Sequence, residues 1–416
     1  MSDQETTMQK VAGAMKSAGD KVGNAFHEGI DAVGSVGNAT ARKVRSVGNA
    51  IARNIRGHRS QSEQHIALFG ESGSGKTTLL TVFYGYQQDT KFQKEAGYRL
   101  LADDTTQGQN LLHSFWNLSD LPATRLTSRK FSFQIRLDGV SKVKETAHLV
   151  WHDYPGGWWT ETRTGEEQED KEKTFLALLS SDVALFLVDG AKLKESGDKY
   201  LKCLFCNFRD ELCRLKEYPA LKARFPLTHF PRIWLICLSK SDLMPNLTAE
   251  DFRRRVISVA NDELQVLRRE IQEIIEEPEL FTLGEDYLLL SAAEYDEKNE
   301  TITDIEKRRG VDLIAPIAFT VPIKRSLDWA KAKRSVISKT ATAVEIVRKL
   351  TTGWLKWLPF VGYYFGLLDQ MAKDKSINLS KKKEEAIKKG CFIDAVLIAF
   401  EQKLSAYDIE KTYLHR

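Results

Sequence analysis

Cysteine is scarce in this 416-residue sequence, which contains only five. An odd, sparse set without a signal-peptide pattern is typical of a reducing compartment, so we expect a cytoplasmic protein. Cys203 and Cys206 form the closest pair, but no second Cys or His pair follows at zinc-binding spacing. We therefore expect buried thiols there, and no metal.

Long hydrophobic runs and a strong excess of one charge are also lacking. No stretch reaches the roughly 18 apolar residues that a membrane-spanning helix needs. The net charge is +4, which is too small to indicate nucleic-acid binding, and we expect none. With 42% hydrophobic and 28% charged residues, the composition is that of a globular protein. The length predicts two or three domains.

One segment carries a phosphate-binding pattern. Residues 65–69 read as a short buried strand and residues 78–84 as the start of a helix, with G-x-x-x-x-G-K-[ST] between them. In such a loop, backbone N–H groups and the helix N-terminus point at phosphate oxygens. Lys76 would reach the β- and γ-phosphates, and the Thr77 hydroxyl would ligate Mg²⁺. The predicted nucleotide-binding residues here are Gly70, Glu71, Ser72, Gly73, Ser74, Gly75, Lys76, Thr77 and Thr78.

From residue 64 onward, apolar runs alternate with helical stretches. Residues 182–189, 232–238 and 287–290 are continuous apolar runs, which are typical of buried parallel strands. The pattern predicts an α/β fold: a mostly parallel sheet of the P-loop NTPase type, with helices on both faces. Ligands of such sheets bind beyond the carboxyl ends of the strands.

Three further motifs follow predicted strands at those ends, in a fixed order. They are Asp153 to Gly156, then Ser239, Lys240 and Asp242, and finally Ser291 with Ala292. Together with the P-loop, this set resembles the translation-factor-like and Ras-like P-loop GTPases. The resemblance covers residues 64–325. It implies GTP or GDP and Mg²⁺ as ligands, and we expect a bacterial-type GTPase associated with a membrane or a partner.

The resemblance implies a metal and phosphate role for two of these residues. Asp153 matches the carboxylate that holds Mg²⁺ through water, and the Gly156 N–H matches the amide that senses the γ-phosphate. A threonine before the second strand closes over the metal in such proteins. Thr124 is our first candidate for this catalytic and metal-binding position, with Thr127 second and the segment 103–106 third.

The resemblance also implies a guanine site. Asp242 matches the carboxylate that accepts hydrogen bonds from guanine N1–H and N2–H₂, a donor pair that adenine lacks. Lys240 would pack over the base, with its ammonium group at the P-loop backbone, and Ser291 and Ala292 match the loop at the guanine carbonyl oxygen. A helix N-cap is the alternative role for Asp242.

Two departures from the family pattern bear on activity. Gly157 stands where Ras-like members have a Gln that orients the attacking water. Since glycine cannot orient water, we expect GTP hydrolysis to be slow or to depend on another residue, a partner or self-association. The following Trp158 and Trp159 are either core residues or a nucleotide-dependent contact surface. Ser239 replaces the usual Asn or Thr and weakens the guanine assignment.

The N-terminal segment, residues 1–60, differs from the rest. Five apolar residues recur every eleven positions, namely Val11, Val22, Val33, Val44 and Ile55. This period gives a nearly straight apolar stripe on a helix, but frequent glycine weakens that helix. Six basic residues in the second half suit anionic lipid. An amphipathic membrane-surface helix, a helix that pairs with protein, and a disordered tail all remain open.

The C-terminal region, residues 326–416, reads as mainly helical. Just before it, the prolines in residues 314–323 predict an edge element or irregular extension of the sheet. Residues 354–368 are rich in aromatics and flanked by lysines, which suits either a membrane interface or a buried helical hairpin. The predicted domains are thus 1–60, 64–325 and 326–416.

The sequence favours a cytoplasmic GTPase that hydrolyses GTP to GDP and phosphate as a conformational switch. Its ends or its switch region would recruit it to an anionic membrane surface, to a protein partner or to itself. Two alternatives stay open. The P-loop also resembles that of ABC-type ATPases, and the missing Gln is compatible with a nucleotide-bound scaffold that does not hydrolyse GTP.

Overall fold

The computed structural model describes residues 62–117, 129–137, 140, 147–153, 179, 181–217, 222–223, 225–227, 229–296, 301–304, 307–336, 362–374, 376–406 and 412–414. The predictions for residues 1–60, Thr124, Thr127 and residues 154–159 lie outside this part of the chain.

The described strands form one large sheet and one hairpin. In chain order they are β1 (Ser62–Phe69), β2 (Tyr98–Ala102), β3 (Arg129–Leu137), β4 (Ala147–Asp153), β5 (Val183–Asp189), β6 (Ile233–Ser239), β7 (Thr282–Leu289), β8 (Glu294–Asp296), β9 (Thr301–Asp304) and β10 (Thr412–Tyr413). The large sheet has the order β10-β7-β6-β5-β1-β4-β3-β2, and β8 pairs with β9.

The centre of the sheet is parallel and its edges are antiparallel. The central strands pair in parallel, in the order β1, β5, β6 and β7. At one edge, β3 pairs antiparallel with both β2 and β4. At the other edge, β10 pairs antiparallel with β7. Every residue of β5 is buried, as its unbroken apolar run predicts. β3 instead alternates between buried and more exposed positions, as a strand with one covered face should. The predicted α/β fold class is confirmed.

Helices connect the strands of the large sheet, and further helices lie between β9 and β10 in the chain. The described α-helices are α1 (Lys76–Tyr86), α2 (Thr90–Ala96), α3 (Thr105–Trp116), α4 (Gly190–Ser196), α5 (Asp198–Lys216), α6 (Ala249–Gln272), α7 (Ile314–Val336), α8 (Gly362–Lys373), α9 (Leu379–Lys388) and α10 (Phe392–Ser405). Helices α5 and α6 share a hydrophobic core with β5, β6 and β7. Its centre is Trp234, stacked on Phe69 with ring centroids 4.8 Å apart. This core fixes the strand ends at which the site lies.

The proline-containing segment is a helix, so the predicted sheet extension is wrong. Pro316 lies in the first turn of α7, where a missing N–H costs nothing because it has no intrahelical acceptor. Pro322 lies inside the helix and leaves the Ala318 carbonyl without its usual donor. The buried Gln64 side chain supplies that donor, with Nε2 2.8 Å from the Ala318 oxygen. A side chain 254 residues away in sequence therefore satisfies the carbonyl that Pro322 leaves without its helical donor.

The chain divides into two compact units. Residues 63–139, 147–322 and 403–416 belong to the unit that contains the large sheet. The described residues from 323 to 402 belong to the other. At its centre, the buried Tyr364 hydroxyl donates to Glu401 at 2.9 Å, and Lys324 pairs with the same carboxylate at 2.6 Å. The proposed domain boundaries at residues 60, 325 and 326 stay predictions.

Two further expectations concern the cysteines and the membrane. Cys203 is exposed and Cys206 half-buried, so the prediction of buried thiols is wrong for this pair. Both lie on α5, whose buried face is formed by its apolar residues instead. Within the described parts of the chain, no helix has both the length and the apolar character needed to cross a bilayer.

Candidate nucleotide-binding site

The P-loop joins β1 to α1, as the motif predicts. Gly73 and Gly75 have φ angles of 78° and 88°, in the left-handed region that other residues rarely adopt. Gly75 is also the N-cap of α1, and its carbonyl accepts a hydrogen bond from the Leu79 N–H at 2.8 Å. The two glycines therefore permit the turn that aims the N-terminus of α1 into the site.

Lys76 lies folded against its own loop. Its ammonium nitrogen is 2.7 Å from the Gly70 carbonyl oxygen and 2.8 Å from that of Glu71. Burial lowers the pKa of Lys76 to about 8, although the negative charges of Asp153, Glu71 and Asp189 act in the opposite direction. A cation held by neutral carbonyls in a buried loop is well placed to exchange them for phosphate oxygens.

Thr77 and Asp153 come together at the metal side of the site. The Thr77 hydroxyl donates a hydrogen bond to Asp153 Oδ2 at 3.1 Å, across 76 residues of sequence. Asp153 ends β4 and is 7% exposed. One hydroxyl and one carboxylate form a set of oxygen donors that fits Mg²⁺, which prefers oxygen ligands. The structure thus brings two of the three predicted metal-binding residues together; Thr124 lies outside the described residues.

Asp242 and Ser291 meet at the other end of the site. Asp242 lies in a short 3₁₀ turn (Ser241–Leu243) after β6, and Ser291 follows β7. The Ser291 hydroxyl donates to Asp242 Oδ1 at 2.6 Å and lies 2.5 Å from the Ala293 carbonyl oxygen. The alternative helix N-cap role for Asp242 is wrong, because Thr248 caps α6 through a capping box with Asp251.

The side chains of Ser239 and Lys240 both contact β5, which the sequence did not predict. The Ser239 hydroxyl donates to the Val188 carbonyl at 3.2 Å, which links β6 to β5. The Lys240 ammonium pairs with Asp189 at 2.9 Å, and the proposed contact of this group with the P-loop backbone stays a prediction. Asp189 is 2% exposed and also caps α4 through the Ala191 N–H.

A second ion pair ties the P-loop to α4. Lys192 lies 2.8 Å from the Glu71 carboxylate, and its ammonium group is 6.0 Å from the ring of Tyr200. The Tyr200 hydroxyl in turn accepts the Asp189 N–H at 3.1 Å. Glu71 is one of the predicted nucleotide-binding residues, but its ion pair with Lys192 was not predicted. The acidic end of the β5 run, Asp189-Gly190, is the one signal in the sequence that marks this region.

A cavity of about 260 Å³ lies between the P-loop and the Asp242–Ser291 pair. It is lined by residues of the P-loop, the first turn of α1 and the two loops after β6 and β7. The lining residues are Gly73, Ser74, Gly75, Thr78, Leu79, Ser239, Lys240, Asp242, Leu290, Ser291, Ala292 and Ala293. Nine of these were predicted nucleotide-binding residues; Leu79, Leu290 and Ala293 were not.

The third candidate for the switch threonine has a structural role of its own. Asp104 caps α3 by accepting the N–H groups of Thr106 and Gln107 at 2.8 and 3.1 Å. Asp103 accepts from Ser132 and lies 3.0 Å from the His148 ring nitrogen Nδ1. These contacts describe the two aspartates and do not test a switch threonine, so the segment 103–106 stays a prediction beside Thr124 and Thr127.

Comparisons with known proteins agree with this assembly. Residues 64–280 match the family model described as Double-GTPase 2. No curated protein matches the sequence significantly.

Several solved structures are similar over part of the chain. The GTPase-like domain of S. cerevisiae Ski7, bound to GTP, is 14% identical with a TM-score of 0.30 and covers 57% of this chain. This chain spans only 44% of that structure. The signal recognition particle receptor complex SRb-GTP/SRX from Chaetomium thermophilum is 19% identical with a TM-score of 0.32, covering 58% of this chain and 94% of the other. Methanosarcina barkeri Roco2 RocCORdC, bound to GDP, is 12% identical with a TM-score of 0.26, covering 86% and 96%.

The family match is the decisive comparison, since similarities at these identities and TM-scores carry no further argument. It extends over just over half of the chain and spans the P-loop, Asp153 and Asp242. It supports GTP binding. This chain is a P-loop GTPase that belongs to the Double-GTPase 2 family.

Proposed function

We propose that this protein binds GTP with Mg²⁺ in the cavity between the P-loop and the loops after β6 and β7, hydrolyses it to GDP and phosphate, and acts as a conformational switch. The observation that carries the proposal is the hydrogen bond between Ser291 and Asp242, on the same cavity as the P-loop. A phosphate-binding loop alone leaves the base undefined, whereas this pair presents a carboxylate where a base would lie.

The carboxylate supplies the preference for guanine. An ionised aspartate only accepts hydrogen bonds, and guanine offers N1–H and N2–H₂ side by side. Adenine has an acceptor at N1, so it would face Asp242 with a repelling lone pair. Ser291 holds one carboxylate oxygen through its hydroxyl and leaves the carboxylate with further acceptor capacity. With Ala292, it would also line the position of the guanine carbonyl oxygen.

The P-loop supplies the phosphate site. Its N–H groups, those at the N-terminus of α1, and the Lys76 ammonium would surround the phosphates. Because phosphate charge favours the protonated lysine, binding should raise the pKa of Lys76 above its low value in this structure. Lys76 would also stabilise the charge that develops on the phosphoryl oxygens in the transition state.

Thr77 and Asp153 would hold Mg²⁺, with Thr124 as the third proposed ligand. When bound, this ion neutralises charge on the phosphate oxygens. In this role a lone pair of the Thr77 hydroxyl would face the metal, while its hydrogen would still be donated to Asp153. The Gly156 N–H would contact the γ-phosphate and so make the following segment sensitive to hydrolysis.

Binding and hydrolysis are tested separately. Lys76→Ala should abolish tight binding of fluorescent GTP. Tight GTP binding by that variant would contradict the assignment of the P-loop as the phosphate-binding site. Single-turnover release of phosphate from GTP-loaded wild type then measures the chemical step. Since Gly157 stands in the position of the usual Gln, we expect slow turnover by the isolated protein. A rate equal to that of free GTP in water, with intact binding and a partner present, would instead identify a non-hydrolysing scaffold.

We also propose recruitment of the switch through residues 1–60 or 354–368 to an anionic membrane surface, or through the switch region to a protein partner. The eleven-residue apolar spacing and the six basic residues of the N-terminal segment support the membrane surface. The full-length protein should sediment with anionic vesicles more than with neutral ones, and a variant lacking residues 1–60 should lose this difference. Equal sedimentation of both proteins with both kinds of vesicle would contradict the proposal that residues 1–60 bind an anionic membrane surface.

A further inference from the structure

We infer that Arg309 is a positioning residue that holds the two loops of the guanine site in one arrangement. The inference rests on the proposed function, because it concerns the same site. Arg309 lies after the β8–β9 hairpin and beyond the residues that match the family model. No sequence motif marks it.

The Arg309 backbone is fastened to the loop after β7. The Ser291 N–H donates to the Arg309 carbonyl at 2.9 Å, and the Arg309 N–H donates to the Ser291 carbonyl at 2.8 Å. This double hydrogen bond is the pattern of an antiparallel bridge. It consumes both backbone polar groups of Ser291 and so fixes the residue whose hydroxyl contacts Asp242.

The Arg309 side chain is fastened to the loop after β6. One guanidinium nitrogen lies 3.3 Å from the Ser241 carbonyl oxygen and the other 3.1 Å from that of Pro245. These two carbonyls lie on either side of Asp242 in the chain. The planar guanidinium presents its donors in a rigid fork, so it constrains the distance between the two acceptors. One residue therefore contacts Ser291 itself and the backbone on either side of Asp242.

Gly310 makes this position of the backbone possible. Its φ angle is 68°, and a Cβ built on it would lie 2.2 Å from the Leu289 carbonyl oxygen. A side chain there would push the returning segment away from the end of β7, where Leu290 and Ser291 begin the loop. The close approach at Gly310 thus places Arg309 within reach of both loops.

The consequence is preorganisation of the base site. Two loops that are ordered before binding lose less conformational entropy when the nucleotide binds. Without the guanidinium, the Ser241 and Pro245 carbonyls lose a charged donor, and the Asp242 turn gains freedom relative to Ser291. Base recognition should weaken, whereas the P-loop, which Arg309 does not contact in any of these bonds, should bind phosphate as before.

The test compares Arg309→Met with Arg308→Met in the full-length protein. The Arg308 guanidinium stacks on the Tyr86 ring, 3.0 Å from its centroid, so this neighbour is a matched control. Dissociation constants are measured for GTP, ATP and tripolyphosphate, each with Mg²⁺. We expect Arg309→Met to weaken GTP binding about tenfold, the effect of losing hydrogen bonds from one charged group. Tripolyphosphate binding should stay the same, and Arg308→Met should change neither.

Four outcomes overturn the inference. If Arg309→Met weakens GTP and tripolyphosphate binding equally, its effect is a general loss of structure; if it changes neither, the residue has no positioning role. Arg309→Lys tests whether the two donors of the guanidinium are both needed. A single ammonium group should recover only part of the GTP affinity that Arg309→Met loses. Recovery of the full wild-type affinity would contradict the two-carbonyl arrangement. If wild type itself binds ATP as tightly as GTP, the proposed function fails, and this inference fails with it.

Discussion

The Ser291 hydroxyl donates a hydrogen bond to Asp242 at 2.6 Å and so joins the ends of β6 and β7 at one cavity. The two residues are 49 positions apart in sequence. Neither is informative alone, since an aspartate in a short turn and a serine after a strand are both common. Their pairing beside the P-loop supports our proposal that the site recognises a base as well as phosphate.

Replacing Ser291 with alanine tests this pair. Ser291→Ala removes the hydroxyl but keeps the backbone bonds to Arg309, so the loop should stay in place. Loss of one hydrogen bond to a charged group corresponds to about 1–2 kcal/mol, and we expect GTP binding to weaken about fivefold to thirtyfold. Ser258→Ala is the control, because its hydroxyl contacts only the Arg255 carbonyl on α6 among its described bonds. Isothermal titration calorimetry measures the GTP affinity of both variants and of wild type. If Ser291→Ala binds GTP as tightly as wild type, the Ser291 hydroxyl does not contribute to binding.

The ion pair between Asp189 and Lys240 is expected to stabilise the fold. Asp189→Asn keeps an oxygen that caps α4 but places an amide donor opposite the Lys240 ammonium. We expect the free energy of unfolding in urea to fall by about 1–3 kcal/mol. Asp198→Asn serves as the matched control, since its pair with Arg255 is at the surface and should contribute less than about 1 kcal/mol. Equal losses in the two variants would contradict a special role for Asp189.

The buried Lys76 predicts a pH dependence of stability in the nucleotide-free protein. Its pKa is about 8 in the folded state and 10.5 in the unfolded state, so the unfolded state binds more protons between these values. Stability should therefore rise with pH from about 8 toward 10.5, on the order of 2 kcal/mol from this residue. Lys76→Met should lack this contribution. The difference between the two urea-unfolding profiles, measured from pH 7 to 10, cancels the other lysines, and parallel profiles would disprove the burial effect.

The hydrogen bond from Gln64 to Ala318 should matter only because of Pro322. Gln64→Met removes the donor that replaces the missing proline N–H. Pro322→Ala restores a backbone donor four residues after Ala318. The cost of Gln64→Met should therefore be smaller by about 1 kcal/mol in the Pro322→Ala background. A double-mutant cycle by thermal unfolding measures this coupling, and additive effects would show that the two residues act independently.

The P-loop and the central strands of the sheet could be predicted because they are encoded locally. A glycine pattern between a strand and a helix defines the loop, and unbroken apolar runs mark the central strands. The strand pattern also marks the loops that contain Asp242 and Ser291, since the carboxyl ends of parallel strands meet at one edge of the sheet. Their guanine-binding role was implied by the resemblance to P-loop GTPases.

The rest depends on partners that are distant in sequence. Nothing near Lys240 indicates that Asp189 neutralises it, and nothing near Arg309 indicates that its fork spans two carbonyls. In the helix over the proline segment, Gln64 from the first strand supplies the donor that Pro322 lacks. Local propensity alone disfavours that helix, so tertiary contacts decide it.

A competition titration tests the central claim most directly. Fluorescent GTP bound to wild type with Mg²⁺ is displaced by GTP, GDP, ATP or xanthosine triphosphate, and the titration is repeated with Asp242→Asn. We predict that only guanine nucleotides compete on wild type. In the variant, an amide donor faces the base, so guanine preference should be lost and xanthosine triphosphate, with a carbonyl in place of the amino group, should compete instead. If ATP competes as well as GTP on wild type and Asp242→Asn changes nothing, the cavity does not read guanine and the proposed function is wrong.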